Sequence, residues 1–264
     1  MKKFVLTSLV IALAALTLTG CSSTSSSGGT GTSAIPTADL AASVGVAAKN
    51  ALTIDNSILG VISAAGVKSS GVNAAVVNDL AYTGGWWSAT NNYAYTEGGT
   101  TITFSYAYNF RFWNVAGTEL TTLSALKTAI TGGDISKGHV YATFTYDIGG
   151  STSTTYYGNS KDDPLKFEGL GTTTPTISGT LKYAGTYSTT SYSMTFTYAS
   201  LGMTSGGYPN GEISYSVTEA GAGTVSGKVT YTGTKNATIT VVTKAGTSTF
   251  TCDLDTGAVT AASL

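Results

Sequence analysis

A single histidine, a single arginine, two cysteines and four prolines are spread over 264 residues. Each scarcity removes a class of chemistry. With His139 alone and Cys252 the only cysteine beyond residue 21, a zinc site of histidine and cysteine ligands has too few donors, and neither metal nor cofactor is expected. A Ser-His-Asp triad would have to be built on His139, and no G-x-S-x-G elbow accompanies it. His139, following Gly138, is instead expected at the start of a strand, satisfied by backbone or water. Only 10% of residues are charged, no basic patch stands out, and Arg111 is the lone arginine. Nucleic acid and anionic lipid headgroups are therefore poor partners. The sequence supports no enzyme.

What is present begins at the amino terminus. Lys2 and Lys3 precede an apolar run from Phe4 to Leu18 and then small residues. This is the layout of a secretory signal peptide, too short to cross a bilayer as a helix. Its end, Leu18-Thr19-Gly20-Cys21, resembles the lipobox of bacterial lipoproteins. The resemblance covers residues 1–21 and implies cleavage after Gly20, a diacylglycerol thioether on Cys21 and acylation of the new amino terminus. An anchor of several acyl chains holds firmly, because each buried methylene contributes about 0.8 kcal/mol. The protein is thus expected in the cell envelope, with the lipid bilayer as partner through Cys21. Ser22, in place of aspartate, implies the outer membrane if the host is Gram-negative. Once Lys2 and Lys3 are removed, 11 basic side chains face 14 acidic ones, a net charge of −3. With Cys21 acylated, no second cysteine remains for an intramolecular disulfide with Cys252, so packing must stabilise the fold.

Residues 21–36 read as the lipidated cysteine and a disordered tether. Positions 22–35 carry no charge and only Ile35 as a sizeable apolar group, too little to offset chain entropy. Such a coil spans about 20 Å and lifts the folded part clear of the headgroups. Residues 37–82 are rich in alanine and valine. Leu40, Val44, Ala47, Ala48 and Leu52 recur at helical spacing behind Thr37, and Gly60, Gly66 and Gly71 break the rest of the segment into short pieces. Segment 37–82 is expected to be helical or irregular and to form one globular unit with a β domain over 83–264.

In that domain the period becomes two. In "ITFSYAYNFRFW", residues 102–113, Ile102, Phe104, Tyr106, Tyr108, Phe110 and Phe112 share one face. Twelve alternating residues make a strand about 40 Å long, which must twist and favours a curved sheet. Further strands are predicted near 86–96, 139–148, 152–157, 176–183, 191–199, 211–217, 224–231, 237–243 and 248–254. Glycine-containing turns join them. The fold class is mainly β: an antiparallel meander of about ten strands forming a curved sheet or half-barrel, with an N-terminal helical segment and one inserted helix. That helix is expected over 119–131, where Leu120, Leu123, Leu126 and Ile130 align ahead of Gly132-Gly133. A faint repeat, "GTLKYAG", "GEISYSV" and "GKVTYTG", sets glycine, an aliphatic residue and tyrosine in register at 179, 211 and 227.

Three adjacent aromatic pairs stand out: Trp86-Trp87, Phe112-Trp113 and Tyr156-Tyr157. Neighbours on a strand point to opposite faces, so the sheet carries large rings on both sides. One face is core; the other is expected under the 37–82 segment or the 119–131 helix. The alternative is a recognition surface for protein, glycan or lipid, with Trp86, Trp87, Trp113, Tyr156 and Tyr157 as candidate residues.

Other motifs are weaker. Ser124-Ala125-Leu126-Lys127 has the S-x-x-K spacing of penicillin-binding proteins without their helical domain. Asp255-Thr256-Gly257 lacks the second aspartate an aspartic protease requires and reads as a turn. Cys252 shares an apolar face with Phe250 and Leu254 and reads as an inert buried thiol. Residues 158–171 read as a solvated connection. Two function classes remain: a non-catalytic envelope lipoprotein that binds a partner or plays a structural role, or a carrier of a lipid or other apolar ligand. By layout the second resembles the half-barrels of lipid-carrying envelope proteins.

Overall fold

The computed structural model describes residues 80–262 together with Ala41 and Val44, apart from 188–189, 205–206, 221–222 and 244–245. The signal segment, Gly20, Cys21, the tether and most of the 37–82 segment lie outside the described residues.

Thirteen strands form one sheet. They are β1 (Ala81–Thr83), β2 (Trp86–Glu97), β3 (Thr100–Asn114), β4 (Ile135–Ile148), β5 (Ser151–Tyr157), β6 (Leu165–Glu168) and β7 (Thr176–Tyr187), continuing with β8 (Thr190–Met203), β9 (Pro209–Glu219), β10 (Gly223–Thr232), β11 (Asn236–Thr243), β12 (Gly246–Asp253) and β13 (Val259–Ala261). Helix α1 (Leu123–Gly132) is inserted between β3 and β4. Every pairing is antiparallel and follows chain order, apart from β6, which pairs with β4 and β7. All ten predicted strands are found. The three others, β1, β6 and β13, have three or four residues each, too few for a period to show.

β5 and β6 are two halves of one column. β5 covers the far half of β4 from Ala142 to Ile148, and β6 covers its near half from Lys137 to Val140. β7 meets both in the same order. Segment 158–164 loops out between them, so the expected connection over 158–171 is in part a strand.

One buried cluster runs from Trp87 of β2 to Leu254 beyond β12. The sheet is twelve columns wide, and its eleven spacings laid flat would reach about 53 Å, whereas α1 is about 15 Å long. A continuous core under so wide a sheet requires it to curl, as the long strands foretold. Leu126 and Ala129 of α1 lie in this core, as do Ala41 and Val44, both helical and fully buried. α1 starts at Leu123 rather than 119 because the β ladder claims the preceding residues: Glu119 bridges Trp113, and the Leu120 amide donates to the Phe112 carbonyl. Thr122 then caps the helix, and Gly133 closes it in the left-handed region.

The faint repeat is core chemistry. Leu181, Ile213 and Val229 are buried, as are Tyr215 and Tyr231, while Tyr183 packs against the cluster. Cys252 is fully buried, as expected. Asp253, Thr256 and Gly257 form the expected turn: the Asp253 carboxylate accepts from the amides of Asp255 and Thr256, and Gly257 has φ 78°.

Candidate functional site

Strand parity separates the members of each aromatic pair. Trp87 and Phe112 lie in the core, and Tyr157 packs against it beside Phe144, with ring centroids 5.4 Å apart. The Trp87 indole donates to the Leu120 carbonyl at 2.6 Å, so this ring is a fastener of the 115–122 connection and offers no open surface. Trp86, Trp113 and Tyr156 occupy the opposite face.

No described helix covers that face. The buried residues of α1, Leu126 and Ala129, belong to the core, as do Ala41 and Val44, so the inserted helix does not shield the second set of rings; the rest of the 37–82 segment lies outside the described residues. Cations lie over these rings instead. The Arg111 guanidinium lies 5.7 Å from the Trp86 ring and 5.1 Å from that of Trp113. Lys137 stands 4.9 Å from Trp113, Lys161 5.9 Å from Trp86, and Lys182 5.7 Å from Tyr156. Each contact contributes roughly 0.5–2 kcal/mol, more where water is excluded. Trp86, beneath Arg111 and Lys161, is only 6% exposed.

Register explains the convergence. Arg111 pairs with His139, His139 with Lys166, and Lys166 with Ser178, one row across β3, β4, β6 and β7. One step along the same face, Trp113 pairs with Lys137 and Lys137 with Glu168. Lys161 arrives from the looped-out segment. The loop springs from the β5–β6 column, three strands (roughly 14 Å) from β2, yet its Lys161 ammonium reaches the Trp86 ring. Gly158 fixes the departure: its φ is 74°, and a Cβ there would stand 2.7 Å from the Leu165 amide nitrogen. Within the loop, Asp163 accepts from Asn159, and the Ser160 hydroxyl accepts from the amides of Asp162 and Asp163.

Glu119 anchors Arg111 through two hydrogen bonds of 3.0 and 2.8 Å, and the Tyr82 hydroxyl donates to the same carboxylate at 3.0 Å. The Arg111 bonds hold the Glu119 carboxyl below its ordinary value. Lys137 and Glu168 form a looser pair at 3.8 Å. Lys161 and Lys166 make no ion pair among the described residues.

His139 departs from expectation. It lies inside β4 rather than at its start, edge-on to Trp113 at 4.8 Å, and its Nε2 is buried without a hydrogen-bond partner among the described residues. Burial first, then Lys137, Lys166 and Arg111, lower its pKa to about 4, so the imidazole is neutral at pH 7. Among the described residues no group of three or more histidine, cysteine, aspartate or glutamate side chains is placed to hold a metal ion. Ser124 lies on the exposed side of α1.

Beyond this cluster the face turns to small polar residues. Thr90, Asn92, Ser105, Ala107 and Thr143, with Tyr106, line an open depression of about 570 Å³. Sequence reasoning placed the rings and missed the cations over them. The signal for two of these was parity: Arg111 lies two residues from Trp113, and Lys137 two from His139. Lys161, Lys166 and Lys182 needed the register.

No family model, curated protein or solved structure matches this chain. No helix among the described residues is long and apolar enough to cross a membrane.

Proposed function

We propose that the chain is a bacterial cell-envelope lipoprotein, held on the bilayer through acylated Cys21, whose β domain binds a partner without catalysis. The observation that carries the binding half is the gathering of Arg111, Lys137, Lys161 and Lys166 around Trp86 and Trp113, in a chain whose mature charge is negative. Rings fixed by strand register, under cations fixed by the same register, form a preorganised polar and aromatic surface. His139 is neutral, and no hydroxyl or carboxylate hydrogen-bonds to it among the described residues, which favours recognition over proton transfer. The depression of about 570 Å³ is open and lined mainly by polar groups, so it favours surface recognition over carriage of an apolar ligand.

The anchoring half rests on Lys2-Lys3, the apolar run and Leu18-Thr19-Gly20-Cys21. The test is metabolic labelling with palmitate and sedimentation of membranes from cells making the parent chain or Cys21→Ala. The parent should take up label and co-sediment; Cys21→Ala should lose the label and remain in the supernatant. Continued sedimentation of an unlabelled Cys21→Ala chain would sink the anchoring reading.

A further inference from the structure

We infer that the basic and aromatic face of β2, β3, β4 and β6 is a binding site for an acidic saccharide, its sugar ring against Trp113 and its carboxylate among Lys137, Lys166 and His139. This rests on the recognition reading above and names the ligand class of that same site.

The charges that remain available point to an anion. Arg111 is committed to Glu119 through both hydrogen bonds, so it positions rings more than it attracts ligand. Lys137 has the 3.8 Å contact with Glu168 as its one ion pair among the described residues, beside the Trp113 ring, and both side chains are substantially exposed. Lys166 has no ion-pair partner among the described residues, and Lys161 has only the ring beneath it. Between them lies the unpartnered Nε2 of His139, one of two buried side-chain polar atoms lacking a hydrogen bond among the described residues. A buried polar atom left unpaired costs free energy that an incoming group can recover. With the proton on Nε2, a carboxylate oxygen would satisfy it on displacing the side chains that bury it.

The dimensions point to a sugar. His139 and Lys166 lie on adjacent strands, roughly 5 Å apart, and Lys137 is one face-step of roughly 7 Å from His139. The patch is thus about the size of one or two sugar residues. A nucleic-acid backbone or a bilayer surface needs an extended basic stripe or plane. Here the cations give way within two strand rows to Thr143, Ala107 and Thr90. The Trp113 indole is half-buried between Arg111 and Lys137, and a sugar's C–H face would pack on the part they leave exposed, the flanking charges selecting the acid.

Binding is measured by tryptophan fluorescence on the full-length acylated protein in neutral detergent micelles. The probes are oligogalacturonate, an uncharged cello-oligosaccharide of equal length, inorganic phosphate, and micelles doped with phosphatidylglycerol. Oligogalacturonate should give a saturable change that weakens with salt and falls tenfold or more in the double variant Lys137→Gln/Lys166→Gln. Lys228→Gln, on the distant pair with Glu212, should bind as the parent does. The lysine variants alter exposed ends of side chains and should melt with the parent, which separates lost binding from lost fold. The inference is overturned if no saturable change occurs or if the double variant binds like the parent. Equal binding of the cello-oligosaccharide, of phosphate alone or of phosphatidylglycerol micelles would also overturn it. Such a failure would leave palmitate labelling and sedimentation untouched, so the two readings fall separately.

Discussion

Gly227→Ala should destabilise the fold although it places a better strand former in β10. Gly227 has no positive φ; its side is simply occupied. It pairs with Tyr215 of β9, whose ring crosses it so that the hydroxyl donates to the Thr240 carbonyl of β11 at 2.8 Å. A Cβ at 227 would stand 2.5 Å from the Tyr215 hydroxyl and would also collide with the Thr240 carbonyl oxygen. Reduced entropy of the unfolded chain favours alanine by about 0.4–1 kcal/mol. Overpacking costs about 1–3 kcal/mol, and losing the tyrosine hydrogen bond about 0.5–1.5 kcal/mol. The collision wins, leaving a net cost of about 2 kcal/mol, or a fall in Tm of roughly 4–8 °C for a domain of this size. Urea unfolding followed by tryptophan fluorescence reads the difference. In a Tyr215→Phe background, where the obstructing hydroxyl is gone, the same substitution should cost about 1 kcal/mol less. Gly202→Ala is the control: its Cβ would meet only ordinary contacts, the nearest at 3.7 Å, and stability should hold or rise. A Gly227→Ala chain as stable as its parent would refute the reasoning.

Trp87→Phe strands the Leu120 carbonyl that now accepts a 2.6 Å bond and should cost about 2 kcal/mol in urea unfolding; an unchanged midpoint would show the bond to be idle. His139 gives a pH dependence. Its folded-state pKa, about 4, lies below the ordinary value of 6.5, so the unfolded chain binds the proton first on acidification. Stability should therefore be full above about pH 6.5 and decline toward pH 4. His139→Gln should flatten that slope, and an identical slope in the variant would assign the dependence elsewhere.

The two Gly227 neighbours illustrate what the sequence made legible. The recurring glycine, aliphatic residue and tyrosine marked one strand face, and the ten predicted strands declared themselves by alternation. What crosses strands was not legible. That Tyr215 lies over Gly227, Phe112 over Gly138 and Tyr192 over Gly185 comes from register alone. Strand β6 was hidden because Leu165 and Phe167 are its only large apolar residues and charges surround them. For the site, parity predicted one ring of each pair on either face without saying which, and Trp87 and Tyr157, candidates for the open surface, turned out to face the core. It could not say that cations would cover Trp86, Trp113 and Tyr156, since Lys161 reaches Trp86 over two intervening strands. His139 was expected to be satisfied at a strand end; adjacency to Gly138 suggested a break, yet Gly138 lies within β4 because the Phe112 ring fills the space its side chain would need.

The division of one sheet column into β5 and β6 has a consequence for how this molecule tolerates change. Eight steps along the chain from Tyr157 to Leu165 stand opposite only two steps of β4, from Ala142 to Val140. The surplus is even, so both halves present the same side chains to the same faces. The 158–164 excursion behaves as a parenthesis in the hydrogen-bond ladder. Whole peptides could be spliced into it, and both flanking halves would keep their partners, which makes it a natural socket for acquiring or exchanging a binding specificity.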